Sequence, residues 1–142
     1  MKEPVWIPHS VVLAIQEELL AQFGGTGGLR DEDLLDSALA RPQQLLAYGN
    51  PTWFELAAAY AAGIVCSHPF LDGNKRAAFM VAYTFLGANG FEFAAPEEAV
   101  VVQTLALAAG KLNEASYALW LRDSCRKNAQ RTLRKTRKTR KV

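Results

Sequence analysis

Cysteine is scarce: two residues in 142, Cys66 and Cys125, far apart in sequence and with no CxxC pair. That excludes a disulfide framework, and with only two histidines in the chain it leaves no zinc-ligand pattern. Both are expected to be free thiols in a reducing compartment, with Cys66 packed in the core instead of acting as a nucleophile. No apolar run approaches the roughly 18 residues of a membrane span, and the opening MKEPVWIPHS lacks the apolar stretch of a secretory signal. A cytoplasmic protein with no membrane association is expected. Acid is missing from the end of the chain. Residues 1–125 hold all 14 acidic groups and seven basic ones, a net of −7, whereas residues 126–142 hold nine basic groups and no acid.

What is present is half apolar, enough for one domain with its own core. The charge break divides it into a domain over 1–125 and a basic tail over 126–142. In the tail, RKTRKTRK repeats every three residues with no apolar face, so disorder is expected there. Such a tail suits weak, salt-sensitive contact with RNA, ribosomes or an acidic partner, though no aromatic residue follows Ser124 to stack on bases.

The apolar spacing predicts a mainly α fold of about six helices with at most a small β element. Val11, Val12, Ile15, Leu19 and Phe23 recur at helical spacing over 9–22, and GGTGG stops that helix because glycine costs too much backbone entropy. Asp31, Glu32 and Asp33 begin a short second helix that Pro42 is expected to end. Thr52 and Glu55 form a capping box ahead of the Ala-rich run to Cys66. A fourth helix opens at Asn74 and closes at Asn89-Gly90, residues suited to a left-handed cap, so that two apolar helices form a buried hairpin. Phe91-Glu92-Phe93 is expected as a strand beside residues 5–7. Pro96 starts a fifth helix, and a sixth over 113–124 is expected to bury Leu119 and Trp120.

The break in the hairpin, HPFLDGNKR from His68 to Arg76, carries an imidazole, a carboxylate, an amide and two cations, more chemistry than a turn between apolar helices requires. Gly73 lets backbone approach a ligand, and the N-terminus of the helix that follows attracts anions. Arg76 can fork two phosphate oxygens and Lys75 adds a point charge. Asn74 offers its amide either to the same ligand or to the loop. Asp72 is placed to hold a hard cation such as Mg²⁺, and His68 has the side chain suited to a general base near neutral pH. The set points to phosphoryl or nucleotidyl transfer to a hydroxyl. His9, without such neighbours, reads as structural. GGTGG follows a helix and lacks GK[ST], so it is no P-loop, but it suits a mobile flap near a substrate.

HPFLDGNKR resembles the active motif of the Fic/Doc superfamily, HxFx(D/E)(G/A)N(G/K)R, and the likeness to its death-on-curing (Doc) branch extends over roughly residues 8–122. The resemblance implies that His68 deprotonates the attacking hydroxyl, that Phe70 anchors the loop in the core, that Asp72 binds Mg²⁺, and that Gly73, Asn74 and Arg76 bind phosphates. Adenylyl-transferring members usually have glycine where Lys75 stands and a second arginine where Phe79 stands. Both departures are similar to Doc proteins, which the family holds to be kinases that move the γ-phosphate of ATP to a threonine of elongation factor Tu. This adds Lys75 to His68 and Asp72 as catalytic residues, with ATP and Mg²⁺ on residues 72–76. Gly73 and Pro69 depart from the Doc pattern. The auto-inhibitory S/T-xxx-E-G/N helix of some Fic proteins is missing, since no Ser or Thr has Glu four residues later. Restraint is then expected from a separate Phd-like antitoxin whose C-terminal helix lies in a groove. Two alternatives stand beside this expectation: AMP transfer on the same fold, and an inactive binding protein with an RNA-binding tail.

Overall fold

Six helices and one two-stranded sheet make up residues 2–127, the stretch of the chain described by the structure, a computed structural model. In chain order these are α1 (His9–Phe23), α2 (Glu32–Tyr48), α3 (Trp53–Ser67), α4 (Asn74–Ala88), β1 (Phe91–Phe93), α5 (Glu97–Ala108), α6 (Glu114–Asp123) and β2 (Cys125–Lys127). The mainly helical expectation is met. The basic tail lies outside the described residues from position 128 on, and β2 extends the folded domain to Lys127, just beyond the boundary expected at residue 125.

α3 is the central helix. Its capping box is formed: the Thr52 hydroxyl accepts from the Glu55 N–H at 3.1 Å, and the Glu55 carboxylate accepts from the Thr52 N–H at 3.0 Å. From Leu56 to Val65 every residue is buried, because α2, α4 and α6 all pack on it. The many alanines let those neighbours approach closely. At Gly63 a β-carbon would stand 3.1 Å from Ala38 Cβ and 3.3 Å from the Ala38 carbonyl of α2. α4 packs alongside, and the α3–α4 hairpin places the HPFLDG break at one end of the core.

Several expectations are corrected. Pro42 does not end α2, which runs on to Tyr48. The ring removes the bond that an N–H would make to Ala38, at a cost of about 3 kcal/mol. However, Leu35, Ala38, Leu39 and Pro42 itself are buried on the face turned to the core, and that packing outweighs the loss. β1 pairs antiparallel with β2, Phe91 opposite Lys127 and Phe93 opposite Cys125, and not with residues 5–7. The N-terminal segment is instead held by Asn89, whose amide accepts from the Val5 N–H (2.8 Å) and donates to the Val5 carbonyl (3.1 Å). One side chain thus replaces a strand. Asn89 keeps a negative φ of −104°, while Gly90, at φ 94°, makes the left-handed turn into β1. In α6, Tyr117, Ala118 and Leu121 are buried, Trp120 is half-buried, and Leu119 is 50% exposed. Cys66 is exposed on the last turn of α3 and does not pack in the core. His9 is structural, its Nδ1 2.9 Å from Asp36 Oδ1 between α1 and α2.

Candidate active site

The loop from His68 to Gly73 is built by the ends of the two helices it joins. His68 is the C-cap of α3, its N–H donating to the Ile64 carbonyl at 3.0 Å. It lies in the left-handed region (φ 52°, ψ 57°), the one non-glycine residue with positive φ among those described. For an L-residue that conformation costs about 1–2 kcal/mol and marks a position that its surroundings must hold. The imidazole is exposed.

Phe70 is buried and anchors the loop. Asn74 fastens it from the first turn of α4: its carbonyl oxygen accepts from the Phe70 N–H and its amide donates to the Phe70 carbonyl, both at 3.0 Å. Of the two uses open to that amide, the structure shows the loop-holding one. Gly73, at φ 73°, turns the chain into α4, and no side chain caps the helix that begins there. The first backbone N–H groups of α4 therefore have no intrahelical or side-chain acceptor, the arrangement in which a helix N-terminus attracts anions.

Asp72 sits across from the glycine loop. One carboxylate oxygen accepts from the Gly73 N–H at 2.8 Å and the other from the Thr26 N–H at 3.3 Å. A β-carbon on Gly25 would come within 2.9 Å of the second oxygen, so the GGTGG segment can approach only as glycine. The segment is tied further down the loop by the Leu71 N–H donating to the Gly28 carbonyl (3.1 Å) and by a β-bridge between Leu29 and Phe70. The glycine-rich segment expected as a flap thus lies on the motif itself.

A cavity of about 710 Å³ opens beside the α4 N-terminus. Asp72, Gly73, Asn74, Lys75 and Arg76 line its polar end, and Phe79, Tyr83, Phe93, Val100, Val101 and Leu105 line its apolar wall from α4, β1 and α5. Arg76 lies over the Phe23 ring at 4.5 Å, a cation–π contact that fixes the guanidinium at the rim. Among the described residues neither Lys75 nor Arg76 pairs with a carboxylate, and both are exposed. His68 does not line the cavity. Its imidazole is exposed to solvent beside the loop.

No cluster of three metal-ligating side chains occurs among the described residues. Asp72 by itself fits Mg²⁺ delivered with phosphates, since that ion keeps several waters and takes one or two protein carboxylates. Each Asp72 oxygen has accepted one N–H and retains a lone pair for such a contact.

Residues 6–86 match the profile of the Fic/DOC family. The chain belongs to the Fic/Doc family. It is 33% identical over 113 residues to the "Protein kinase doc" of Escherichia phage P1, covering 78% of this chain and 88% of that protein. It is 45% identical over 76 residues to the "Toxin Doc" of Mycolicibacterium smegmatis, covering 51% of this chain and 58% of that protein, little more than half its length. Both relatives are Doc proteins, which places this Fic/Doc chain on the Doc branch.

Two residues of this Fic/Doc site were not singled out from sequence. Gln16 of α1 is buried and donates from Nε2 to the Asp72 carbonyl at 2.8 Å, while its Oε1 has no partner. Its signal was present, as a polar residue on the stripe of Val12 and Leu19. Arg30, where the glycine segment ends, donates to the carbonyls of Ser67 and His68, and no pattern in the sequence marks it.

Proposed function

We propose that this protein is a Doc-like toxin kinase: it transfers the γ-phosphate of ATP to a hydroxyl of a translation factor, a threonine of elongation factor Tu by family resemblance, and acts in the cytoplasm. The observation that carries this reading is the polar end of the cavity. Lys75 and Arg76 stand unpaired over the open N-terminus of α4, and an aromatic side chain, Phe79, stands one turn further on where adenylyl-transferring relatives have a second arginine. That arrangement offers one compact phosphate site and an apolar wall behind it, in place of a second cationic site for the outer phosphates of a nucleotide laid the other way round.

In this reading ATP lies with its phosphates on the amides of α4, held by Arg76 and Lys75, with Asp72 holding Mg²⁺. The ion when bound neutralises charge on the phosphates and polarises them. Lys75 contributes its positive charge to the group being transferred. His68 takes the proton of the attacking hydroxyl. Asn74 acts through the loop as well as through its backbone N–H, since its side chain holds Phe70. The acceptor gains a phosphoryl group, the bond to the γ-phosphate breaks, and ADP leaves.

A Phd-like antitoxin is the partner of this reading. The exposed Val101, Val102 and Leu105 of α5 supply the kind of surface that an amphipathic helix covers. AMP transfer is the competing chemistry, and Gly73 is the feature that favours it, because a glycine there is shared with adenylyl-transferring relatives. Incubating the protein and a cell lysate with γ-labelled or, separately, α-labelled ATP distinguishes them. Label entering a protein band only from the γ position is expected, and label entering only from the α position contradicts the kinase reading.

A further inference from the structure

We propose that Arg30 is a positioning residue that holds the His68 backbone in its left-handed conformation and so aims the imidazole; this rests on the reading of His68 as the base. A left-handed histidine directly before proline is not a conformation that the chain adopts unaided, and the loop must supply what holds it. Three consecutive carbonyls converge on one residue. Arg30 Nε donates to the His68 carbonyl at 2.7 Å, its Nη2 donates to the Ser67 carbonyl at 2.6 Å, and its backbone N–H donates to the Pro69 carbonyl at 2.7 Å. The Asp31 N–H adds a second bond to Pro69 at 3.1 Å.

Only a guanidinium presents donors in a rigid fork that can meet two adjacent carbonyls at once. Rotation of the His68 peptide would break the Nε bond, so the fork and the ring orientation are linked. A simpler role is available: any cation near the last carbonyls of α3 favours the helix end. Lysine would serve that role and could not serve the other. Arg30 does not line the cavity, so nucleotide binding is expected to be independent of it.

The test uses the full chain and three variants, Arg30→Lys, Arg30→Ala and His68→Ala. Each is followed by thermal melting, by kcat and KM for ATP in phosphate transfer, and by the NMR Cα and Cβ shifts of residue 68, which report backbone conformation. For both Arg30 variants kcat is expected to fall about 10- to 100-fold with KM for ATP unchanged, the scale of a slightly misplaced catalytic group. In Arg30→Lys the melting temperature is expected to hold while the His68 shifts leave their left-handed values. Wild-type kcat in Arg30→Lys beside an inactive His68→Ala overturns the positioning role, as do His68 shifts that do not move. Wild-type transfer by His68→Ala overturns the reading of the base itself, and with it the aiming of that base.

Discussion

Asn74 uses both ends of its amide on the backbone of Phe70, and both bonded groups of Phe70 lie in a buried stretch of the loop. Truncation to alanine leaves one buried donor and one buried acceptor without partners. Each such orphan costs about 1–3 kcal/mol, so Asn74→Ala is expected to lower stability by about 2–6 kcal/mol. Urea unfolding checks this: the midpoint falls at constant slope. Burial pushes the Cys125 thiol up to about 11, so it remains in the unreactive protonated form at mildly alkaline pH, whereas Cys66 is exposed. Brief treatment with iodoacetamide at pH 8, followed by peptide mass spectrometry, is expected to find the adduct on Cys66 and not on Cys125. The chemistry of each residue was legible in the sequence, but its orientation was not. Asn74 can serve a ligand or a loop equally well until the Phe70 backbone is known to be within reach, and Cys66 reads as core until the last turn of α3 is seen to face solvent.

Elements divide by the range of the forces that make them. The capping box of α3 and the glycine stop after α1 are local, each legible within a few residues, and both stand as expected. Pro42 is local too, but its effect is overridden by the burial of α2 on α3, which no short window contains. The partner of β1 lies more than thirty positions away at Cys125–Lys127, and strand pairing at that distance leaves no mark in a three-residue FEF segment. The α2–α3 contact provides a test at this scale. At Gly63 a branched side chain would push into Ala38, whose atoms already stand 3.1–3.3 Å from where a single β-carbon would sit. Gly63→Val is therefore expected to destabilise by about 1–3 kcal/mol through overpacking, even though valine is a better helix former than glycine. Chemical denaturation measures it, and a gain in stability would show that the two helices can separate without cost.

Taken whole, the molecule brings together pieces from most of its length: Gln16 and Phe23 from α1, the glycine segment and Arg30, the α3–α4 break, and the apolar wall of β1 and α5. The motif was legible because its residues are contiguous, and the surroundings were not because they come from separate elements brought together by folding. His68 is exposed on the loop and does not line the cavity, whose polar end is formed by Asp72 to Arg76. The charge asymmetry between body and tail is a property of the sequence, and its role lies outside the described residues. Co-expression with an antitoxin is expected to relieve growth arrest caused by the wild-type protein, while His68→Ala is expected to cause no arrest; growth curves after induction check both.

In the proposed function, the loop from His68 to Arg76 moves a phosphoryl group. Fragmentation mass spectrometry of the acceptor protein after reaction with ATP tests that directly. A phosphoryl group on a hydroxyl side chain is expected with the wild-type protein and none with His68→Ala; an adenylyl group at that position, or an adduct that persists in His68→Ala, would contradict it.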